Sequence, residues 1–221
     1  MRLLLVEDDA ALAEGLGQRL RAAGFAVDIA GDGIDAEHLG REEAYDVAVL
    51  DLGLPHKSGV EVLRSWRDAH RDFPVLILTA RDAWQDKIAA FKLGADDYVT
   101  KPFHEEEVVV RLQALVRRAH GQSRPRLQSH GMTLDEDDQS LILADGSTTQ
   151  LTGTEYRLLR YLMLNEGKVL SKSHLVEHLY EFDDERDSNI IEVYINRLRQ
   201  LIGRELITTR RGQGYVYGKP S

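Results

Sequence analysis

The sequence predicts an α/β fold in which a doubly wound, five-stranded parallel sheet is followed by a second, smaller domain. In the first half of the chain, short apolar runs alternate with amphipathic stretches at helical spacing, and five such repeats are typical of a parallel sheet with helices on both faces. In the second half, short strand-like segments precede three helical stretches. The chain then closes on two β-prone runs joined by a glycine-punctuated turn, which predicts a hairpin.

The five predicted strands of the sheet are residues 3 to 6, 26 to 30, 46 to 51, 75 to 79 and 97 to 100. The first, third and fourth are apolar almost throughout, as expected of central parallel strands that are buried on both faces. Between the first two strands, Leu12, Leu16 and Leu20 repeat at helical spacing. The last helix, from Glu105 to about Arg118, begins with acidic residues and ends with basic ones, which complements the helix dipole.

Apolar periodicity is lost after this helix, and the loss predicts a linker between two domains. We expect a first domain over residues 1 to 118, a linker over 119 to 127 and a second domain over 128 to 221. Within the second domain, helices are expected over about 152 to 165, 171 to 180 and 188 to 202. The closing hairpin is expected over 207 to 217.

Composition limits the classes of protein to which the chain can belong. None of the 221 residues is cysteine, which excludes disulfides and thiolate chemistry and suits a reducing compartment. No segment approaches the length of a membrane span, so a cytoplasmic protein without membrane association is expected. The net charge of −9 is uneven, because residues 186 to 219 contain seven basic and three acidic residues. That local excess predicts a basic face for nucleic acid.

Acidic residues follow two of the central strands. Glu7 and Asp8 come directly after the first strand, and Asp51 ends the third. Capping of the next helix alone would explain Glu7 and Asp8. Three carboxylates at one sheet edge would repel each other unless a cation bridges them, and Mg²⁺ prefers carboxylate, carbonyl and water oxygens. We therefore interpret Glu7, Asp8, Asp51 and the Gly53 carbonyl as a magnesium site.

Two further strand ends supply groups that suit phosphoryl chemistry. An aspartate such as Asp51 can attack phosphorus to form an acyl phosphate, whose charge must be balanced from several sides. Lys101, after the fifth strand, would supply an ammonium, and Thr79, at the end of the fourth, a hydroxyl. The bond between Lys101 and Pro102 is a candidate cis peptide. Asp51, Thr79 and Lys101 are thus the predicted reactive residues.

Four motifs in residues 1 to 118 resemble the receiver domain of two-component response regulators. They are Val6-Glu7-Asp8-Asp9, Leu50-Asp51-Leu52-Gly53-Leu54-Pro55, Leu78-Thr79-Ala80-Arg81, and the segment from Gly94 to Phe103. The resemblance implies that Asp51 accepts a phosphoryl group from a phosphohistidine on a sensor histidine kinase. It also implies that Thr79 and Tyr98 form a switch pair, with the aromatic ring turning inward as the threonine moves toward the phosphate.

The resemblance further implies a symmetric dimer formed on phosphorylation through helix 4, strand 5 and helix 5. The matching charged residues could pair across a twofold axis, and three apolar residues would lie between them. The predicted interface comprises Lys87, Ile88, Phe91, Asp96, Asp97, Glu107, Val109, Arg111 and Arg118. Exposed charge pairs occur often on ordinary surfaces, so by themselves they support this interface only weakly.

In the second domain, arginines on the third helix and on the following hairpin predict a helix that reads the major groove beside an arginine-bearing wing. The strings beginning at Leu151, Asn165 and Arg210 resemble the OmpR/PhoB-type winged helix-turn-helix. The family positions that meet promoter DNA, with its repeated half-sites, correspond to Asn189, Tyr194, Asn196, Arg197, Arg199, Thr209, Arg211 and Tyr215. The acidic segment 181 to 185 matches the part that such regulators present to RNA polymerase, although plain solvation explains it equally well.

Short strings around Trp66, Trp84 and Phe103, and the string Gly212-Gln213-Gly214-Tyr215, are most similar to the PhoP branch of this family. The resemblance implies a non-enzymatic transcription factor activated by phosphorylation of Asp51, with a PhoP-like set of regulated genes. Three alternatives remain open on the residues alone. They are a DNA-binding regulator indifferent to phosphate, an aspartate-based phosphatase, and a flavin binder with the same open sheet. A phosphatase would usually have a second acid two residues after its nucleophile, where this chain has Gly53.

Overall fold

The computed structural model describes residues 1–80, 84–122, 126–180 and 189–218. It divides into two compact units, Met1–Ala119 and His120–Ser221. The boundaries of the linker over residues 119 to 127 stay a prediction. Among the helices of the described residues, none is long and apolar enough to cross a lipid bilayer.

The first unit is built on a five-stranded parallel sheet in the order β2-β1-β3-β4-β5. Its central strands β1, β3 and β4 are buried at every residue, because helices cover both of their faces. This is the predicted doubly wound arrangement. The strands are β1 (Arg2–Val6), β2 (Ala26–Ala30), β3 (Val47–Asp51), β4 (Val75–Thr79) and β5 (Asp97–Thr100).

Five helices connect or follow these strands: α1 (Ala10–Ala22), α2 (Gly33–Glu42), α3 (Gly59–Asp68), α4 (Trp84–Lys92) and α5 (Glu105–Ala119). Helices α2, α3 and α4 pack on one face of the sheet, where Trp66 is fully buried in the core. Helix α1 contacts α5. Side chains cap α1 and α3, which begin near the carboxyl ends of β1 and β3. Asp9 accepts two backbone hydrogen bonds at α1, and Ser58 forms a capping box with Glu61 at α3.

Within its described residues, the second unit combines two small antiparallel sheets with three helices. One sheet has the order β6-β7-β8-β9 and the other the order β10-β12-β11. The bounds are β6 (Leu127–Ser129), β7 (Met132–Asp135), β8 (Ser140–Ile142), β9 (Thr148–Gln150), α6 (Gly153–Leu164), β10 (Val169–Leu170), α7 (Lys172–Leu179), α8 (Asn189–Ile202), β11 (Ile207–Arg210) and β12 (Gly214–Tyr217). The winged helix-turn-helix is thus present, with its predicted hairpin formed by β11 and β12.

Candidate functional site

The carboxyl ends of β1, β3, β4 and β5 meet at one edge of the parallel sheet. β1 and β3 lie side by side with Val6 opposite Leu50, so the residues that follow them, Glu7 and Asp51, are neighbours. β4 pairs with β3 on its other side and ends at Thr79. After β1 the chain continues to β2 on one side of β1, whereas after β3 it continues to β4 on the opposite side. Open parallel sheets bind their ligands at such a switch point.

The ammonium of Lys101 joins two buried carboxylates at this edge. Its Nζ lies 2.5 Å from Asp51 Oδ2 and 2.8 Å from Glu7 Oε1, and it donates a hydrogen bond to each. Asp51 is only 6% exposed and Glu7 only 1%, so water reaches neither carboxylate freely. The bond from Lys101 to Pro102 is cis, as expected. Lys101 therefore supplies the positive charge that stabilises these two buried anions.

The buried carboxylates of Glu7 and Asp51 favour a positive charge beside them. Burial raises the pKa of the Glu7 carboxyl; the hydrogen bond from Lys101 opposes this increase, and the nearby Asp51 charge adds to it. Burial also works against the ammonium of Lys101, but the hydrogen bonds to Asp51 and Glu7 outweigh it and leave the pKa of Lys101 raised. The lysine consequently stays charged at neutral pH.

The same edge offers oxygen donors for a metal ion. Glu7, Asp8 and Asp51 each present one carboxylate oxygen, and the three oxygens lie within 4.8 Å of one another. Asp8 is exposed, which leaves room for water beside it. Hard carboxylate oxygens with waters suit Mg²⁺, so the donor set fits the predicted ion. Capping explains Asp9, which accepts hydrogen bonds from two N–H groups in the first turn of α1.

Two glycines shape the loop after Asp51. The backbone N–H of Gly53 donates to Asp51 Oδ1 at 3.0 Å and so helps to orient the carboxylate. Gly59 opens α3, and a Cβ at that position would lie 2.1 Å from the backbone oxygen of Asp51. A side chain there would have to displace the strand end that carries the aspartate. The sequence reasoning missed Gly59; the available signal was a glycine directly after the capping residue Ser58, where other residues favour the helix more.

The predicted switch residues lie beside α4. The hydroxyl of Thr79, which is 1% exposed, donates to the carbonyl of Ala80 at 3.2 Å. Tyr98 is half-buried, and its ring is nearly perpendicular to the ring of Phe91, with the two centroids 5.7 Å apart. The ammonium of Lys87 lies 3.4 Å from the centre of the Tyr98 ring. The tyrosine ring is thus held against two side chains of α4.

Several residues of the predicted dimer face have partners within their own chain. Arg111 lies 2.8 Å from both Asp97 and Glu107. Asp96 accepts a hydrogen bond from the backbone of β4 and lies 3.7 Å from Arg67. The guanidinium of Arg118 donates to a backbone carbonyl one turn earlier in α5. Pairing across a twofold axis would therefore exchange existing contacts of Asp97 and Arg111 for new ones.

The apolar part of this face consists of two exposed side chains on α4. Ile88 is 38% exposed and Phe91 is 43% exposed. Val109, which was expected to lie between the charges, is instead 7% exposed, whereas its neighbour Val110 is 59% exposed. A one-residue step along a helix turns the side chain by about 100°, which accounts for the difference. Val109 thus contributes to the domain core more than to the surface.

On α8, the predicted DNA-contact residues differ in what they touch. Asn196 and Arg197 are exposed. The guanidinium of Arg197 lies 5.4 Å from the ring centre of the half-buried Tyr194 and 3.8 Å from a Glu155 oxygen. Asn189 is the first residue of α8. Asn196 and Arg197 therefore face solvent on the helix that the sequence assigns to the major groove.

Arg199 lies on α8 and donates hydrogen bonds to the hairpin. Its Nε donates to the carbonyl of Ile207 at 2.8 Å, and its Nη2 donates to Thr209 Oγ1 at 2.7 Å. The guanidinium also lies 5.8 Å from the ring centre of Tyr215, which is 5% exposed. Arg211, at the hairpin turn, is exposed. Arg199, Thr209 and Tyr215 thus fix the hairpin against α8. The acidic segment 181 to 185 lies outside the described residues.

Comparison with known proteins gives two family matches, one in each unit. Residues 3–113 match the model described as the response regulator receiver domain. Residues 146–217 match the model described as the C-terminal part of a transcriptional regulatory protein. The first match includes the strand ends that form the acidic pocket, and the second includes α8 and the hairpin.

Relatives cover both units together. The chain is 43% identical to the transcriptional regulatory protein QseB of Haemophilus influenzae over 99% of both chains. It is also 43% identical to the two-component response regulator PhoP of Pseudomonas aeruginosa over 98% of both. The receiver domain of Francisella response regulator 1452 is 34% identical and superimposes with a TM-score of 0.51, covering 53% of this chain and 98% of that one. Similarity to PhoP was predicted, and similarity to QseB is equally high.

Proposed function

We infer how a signal passes through this chain from one premise, which is that it belongs to the two-component response regulators of the OmpR/PhoB family. It is a response regulator that controls transcription and combines a receiver domain with a DNA-binding domain. The full-length relatives are regulators, which does not favour the phosphatase or flavin alternatives.

Asp51 accepts the phosphoryl group. An Oδ–P bond forms as the P–N bond of a kinase phosphohistidine breaks, and the histidine nitrogen takes back the bonding electron pair. The observation that carries this proposal is the contact of Asp51 with Lys101 at 2.5 Å in a pocket shared with Glu7. The ammonium can follow the developing negative charge from the carboxylate to a phosphoryl oxygen. The hydroxyl of Thr79 is available for a second oxygen once it leaves the Ala80 carbonyl.

Glu7, Asp8, Asp51 and the carbonyl of Gly53 would hold Mg²⁺. When bound, the ion would supply positive charge that, together with Lys101, offsets the charge of the phosphoryl oxygens. Of these residues, Glu7 is the least hydrated, and its burial already raises the pKa of its carboxyl. Asp8 keeps an open, exposed side of the pocket for incoming phosphodonor. Glu7 is thus the buried ligand of the proposed magnesium site, and Asp8 is the ligand that solvent and phosphodonor can reach.

Phosphorylation adds about −1.5 to −2 charges and three acceptor oxygens, which draw Thr79 toward Asp51. Movement of Thr79 vacates space at the end of β4, and Tyr98 turns inward from its place beside Lys87 and Phe91 of α4. Ile88, Phe91 and the Asp97–Arg111 pair then contact a second copy, with Arg111 exchanging its partner. The dimer presents two copies of α8 and its hairpin to repeated half-sites in promoter DNA.

In the DNA complex, Asn196, Arg197 and Arg211 contact bases and phosphates directly, since all three are exposed. Arg199, Thr209 and Tyr215 hold the hairpin at a fixed position beside α8. Asn189 and Tyr194 complete the predicted contact set. Contact with RNA polymerase through residues 181 to 185 remains part of the proposal on the grounds of sequence resemblance alone.

The test is phosphorylation of the full chain by acetyl phosphate with Mg²⁺, followed by sedimentation and gel-shift measurement. We expect one hydroxylamine-labile phosphoryl group per chain, dimer formation, and tighter DNA binding. Asp51→Asn should abolish all three responses while leaving unphosphorylated DNA binding intact. Asp35→Asn, which changes an exposed carboxylate on α2, is the matched control. If Asp51→Asn binds promoter DNA as tightly as the phosphorylated chain, the protein is a regulator indifferent to phosphate.

A further inference from the structure

We propose that α7 carries a binding site for one divalent transition-metal ion such as Zn²⁺, formed by His174, Glu177 and His178. Each of the three side chains offers one ligand atom, and these atoms lie within 4.8 Å of one another. The site lies in the DNA-binding unit and shares no residue with the acidic pocket around Asp51. It is therefore an additional site, beyond phosphorylation and DNA binding.

The spacing of the three residues places them on one face of a single helix. Residues three and four positions apart are neighbours on a helix surface, so His174 faces both Glu177 and His178. The two imidazole rings have their centroids 4.3 Å apart at an interplanar angle of 49°. A single ion can thus reach a nitrogen of each ring.

The distances suit coordination after a small adjustment of side chains. With Zn–N bonds of about 2.0–2.1 Å, two ligand atoms of a tetrahedral site are roughly 3.3 Å apart. Closing the present spread of up to 4.8 Å requires a movement of roughly 1.5 Å. Glu177 is exposed and can approach the two imidazole rings by rotating its side chain, whereas His178 is buried.

A residue from the neighbouring helix orients one of the ligands. The hydroxyl of Tyr161 on α6 lies 2.8 Å from His174 Nε2. When Nε2–H donates to the tyrosine oxygen, Nδ1 of His174 carries the lone pair that a metal needs. Ligating histidines usually have such a partner on their second nitrogen. The ring of Tyr161 also stacks on His178 at 5.0 Å, which restricts the second imidazole.

The donor set selects the class of ion. Imidazole nitrogens suit Zn²⁺, Ni²⁺ and Cu²⁺, whereas Mg²⁺ requires oxygen ligands. Two histidines and one carboxylate would fill three positions of a tetrahedral Zn²⁺ site and leave the fourth to a water molecule. The same cluster without a metal would be a packed aromatic group of Tyr161, His174 and His178. The two possibilities differ in a measurable way, because only one of them binds ions.

The experiment is calorimetric titration of the full chain with ZnCl₂ in the presence of millimolar MgCl₂, which competes for the acidic pocket. We expect one Zn²⁺ per chain at this site. His174→Gln and Glu177→Gln should each remove or weaken this binding at least tenfold. Tyr161→Phe, which keeps all three ligands, should weaken it by about 10-fold, the low end of the usual effect of losing such a partner. Circular dichroism should show that these variants remain folded.

Two controls separate this site from other sources of binding. His104→Gln alters an exposed histidine outside the cluster, and Asp51→Asn alters the acidic pocket; both should leave the stoichiometry at one. Co²⁺ provides an independent readout, since histidine coordination gives a visible absorption band that should disappear in His174→Gln. If the cluster variants bind Zn²⁺ as tightly as the unaltered chain, or if the unaltered chain binds none, the proposal is wrong.

Discussion

Replacing Lys101 by methionine tests whether the lysine neutralises the buried acidic pocket. The substitution keeps most of the side-chain volume but removes the charge that contacts Asp51 at 2.5 Å and Glu7 at 2.8 Å. Loss of one partner from a buried ion pair usually costs about 3–5 kcal/mol. The Lys101 side chain is 27% exposed, so water weakens the effect, and we expect a loss of about 3 kcal/mol without Mg²⁺.

Tryptophan fluorescence during urea unfolding measures this loss in the receiver unit by itself. Both tryptophans of the chain, Trp66 and Trp84, belong to the first unit, so unfolding of the second unit does not contribute directly. Lys92→Met, at an exposed position in α4, is the matched control and should change stability by less than about 0.5 kcal/mol. Each free energy of unfolding comes from linear extrapolation to zero urea.

Adding Mg²⁺ should recover much of the stability that Lys101→Met loses. A ligand that binds only the folded state stabilises it by about 2.7 kcal/mol at 100 times its dissociation constant. That value is close to the expected loss, so saturating Mg²⁺ should nearly restore the variant. It should also stabilise the variant more than the unaltered chain, in which Lys101 already balances part of the charge. Equal stability of Lys101→Met and Lys92→Met without Mg²⁺ would refute this account of the pocket.

Three further predictions concern packing, pH and DNA. Gly40→Ala should lower the free energy of unfolding by about 1–3 kcal/mol in urea denaturation, because its Cβ would lie 2.2 Å from the buried ring of Trp66. The hydrogen bond from Lys57 lowers the pKa of Glu37, so its contribution to stability is present above the unfolded pKa of 4.5 and is lost as pH falls through the lower folded value. Glu37→Gln should therefore reduce the loss of stability on acidification, measured by urea unfolding at several pH values. Arg211→Ala should weaken DNA binding across all sequences and reduce the salt slope by about 1 in gel shifts at several salt concentrations.

The sequence predicted the parts of the fold that depend on local pattern. Strands β1, β3 and β4 were recognisable because burial on both faces requires apolar side chains at every position. The same logic placed Glu7 and Asp51 side by side, since parallel strands bring their carboxyl ends together. By contrast, the acidic run taken alone could not be divided between metal binding and capping, and only Asp51 at the end of the neighbouring strand led to Glu7 and Asp8 being assigned to the metal. That division depends on the direction of each side chain at the strand end.

The sequence pattern could not predict contacts between residues that are far apart in the chain. Val169 and Leu170 form a third strand beside the hairpin, but a two-residue strand has no detectable alternation. Val109 was placed on the dimer face by resemblance, although the rotation of α5 buries it. Likewise, resemblance assigned Arg199 to DNA without indicating its bonds to Ile207 and Thr209. In each case the decisive factor is tertiary packing, which a single sequence does not display.

The internal bonds of Arg199 are compatible with its predicted contact with DNA. A guanidinium has five N–H donors, and the bonds to Ile207 and Thr209 use one on Nε and one on Nη2. The other three can face a phosphate, and the guanidinium that binds it is already held in place. A phosphate contact made by an ordered arginine loses less side-chain entropy than one made by a freely rotating arginine. Arg199 can thus fix the hairpin beside α8 and still make its predicted contact with the DNA backbone, whereas the predicted contact of the exposed Arg211 would require that side chain to be ordered on binding.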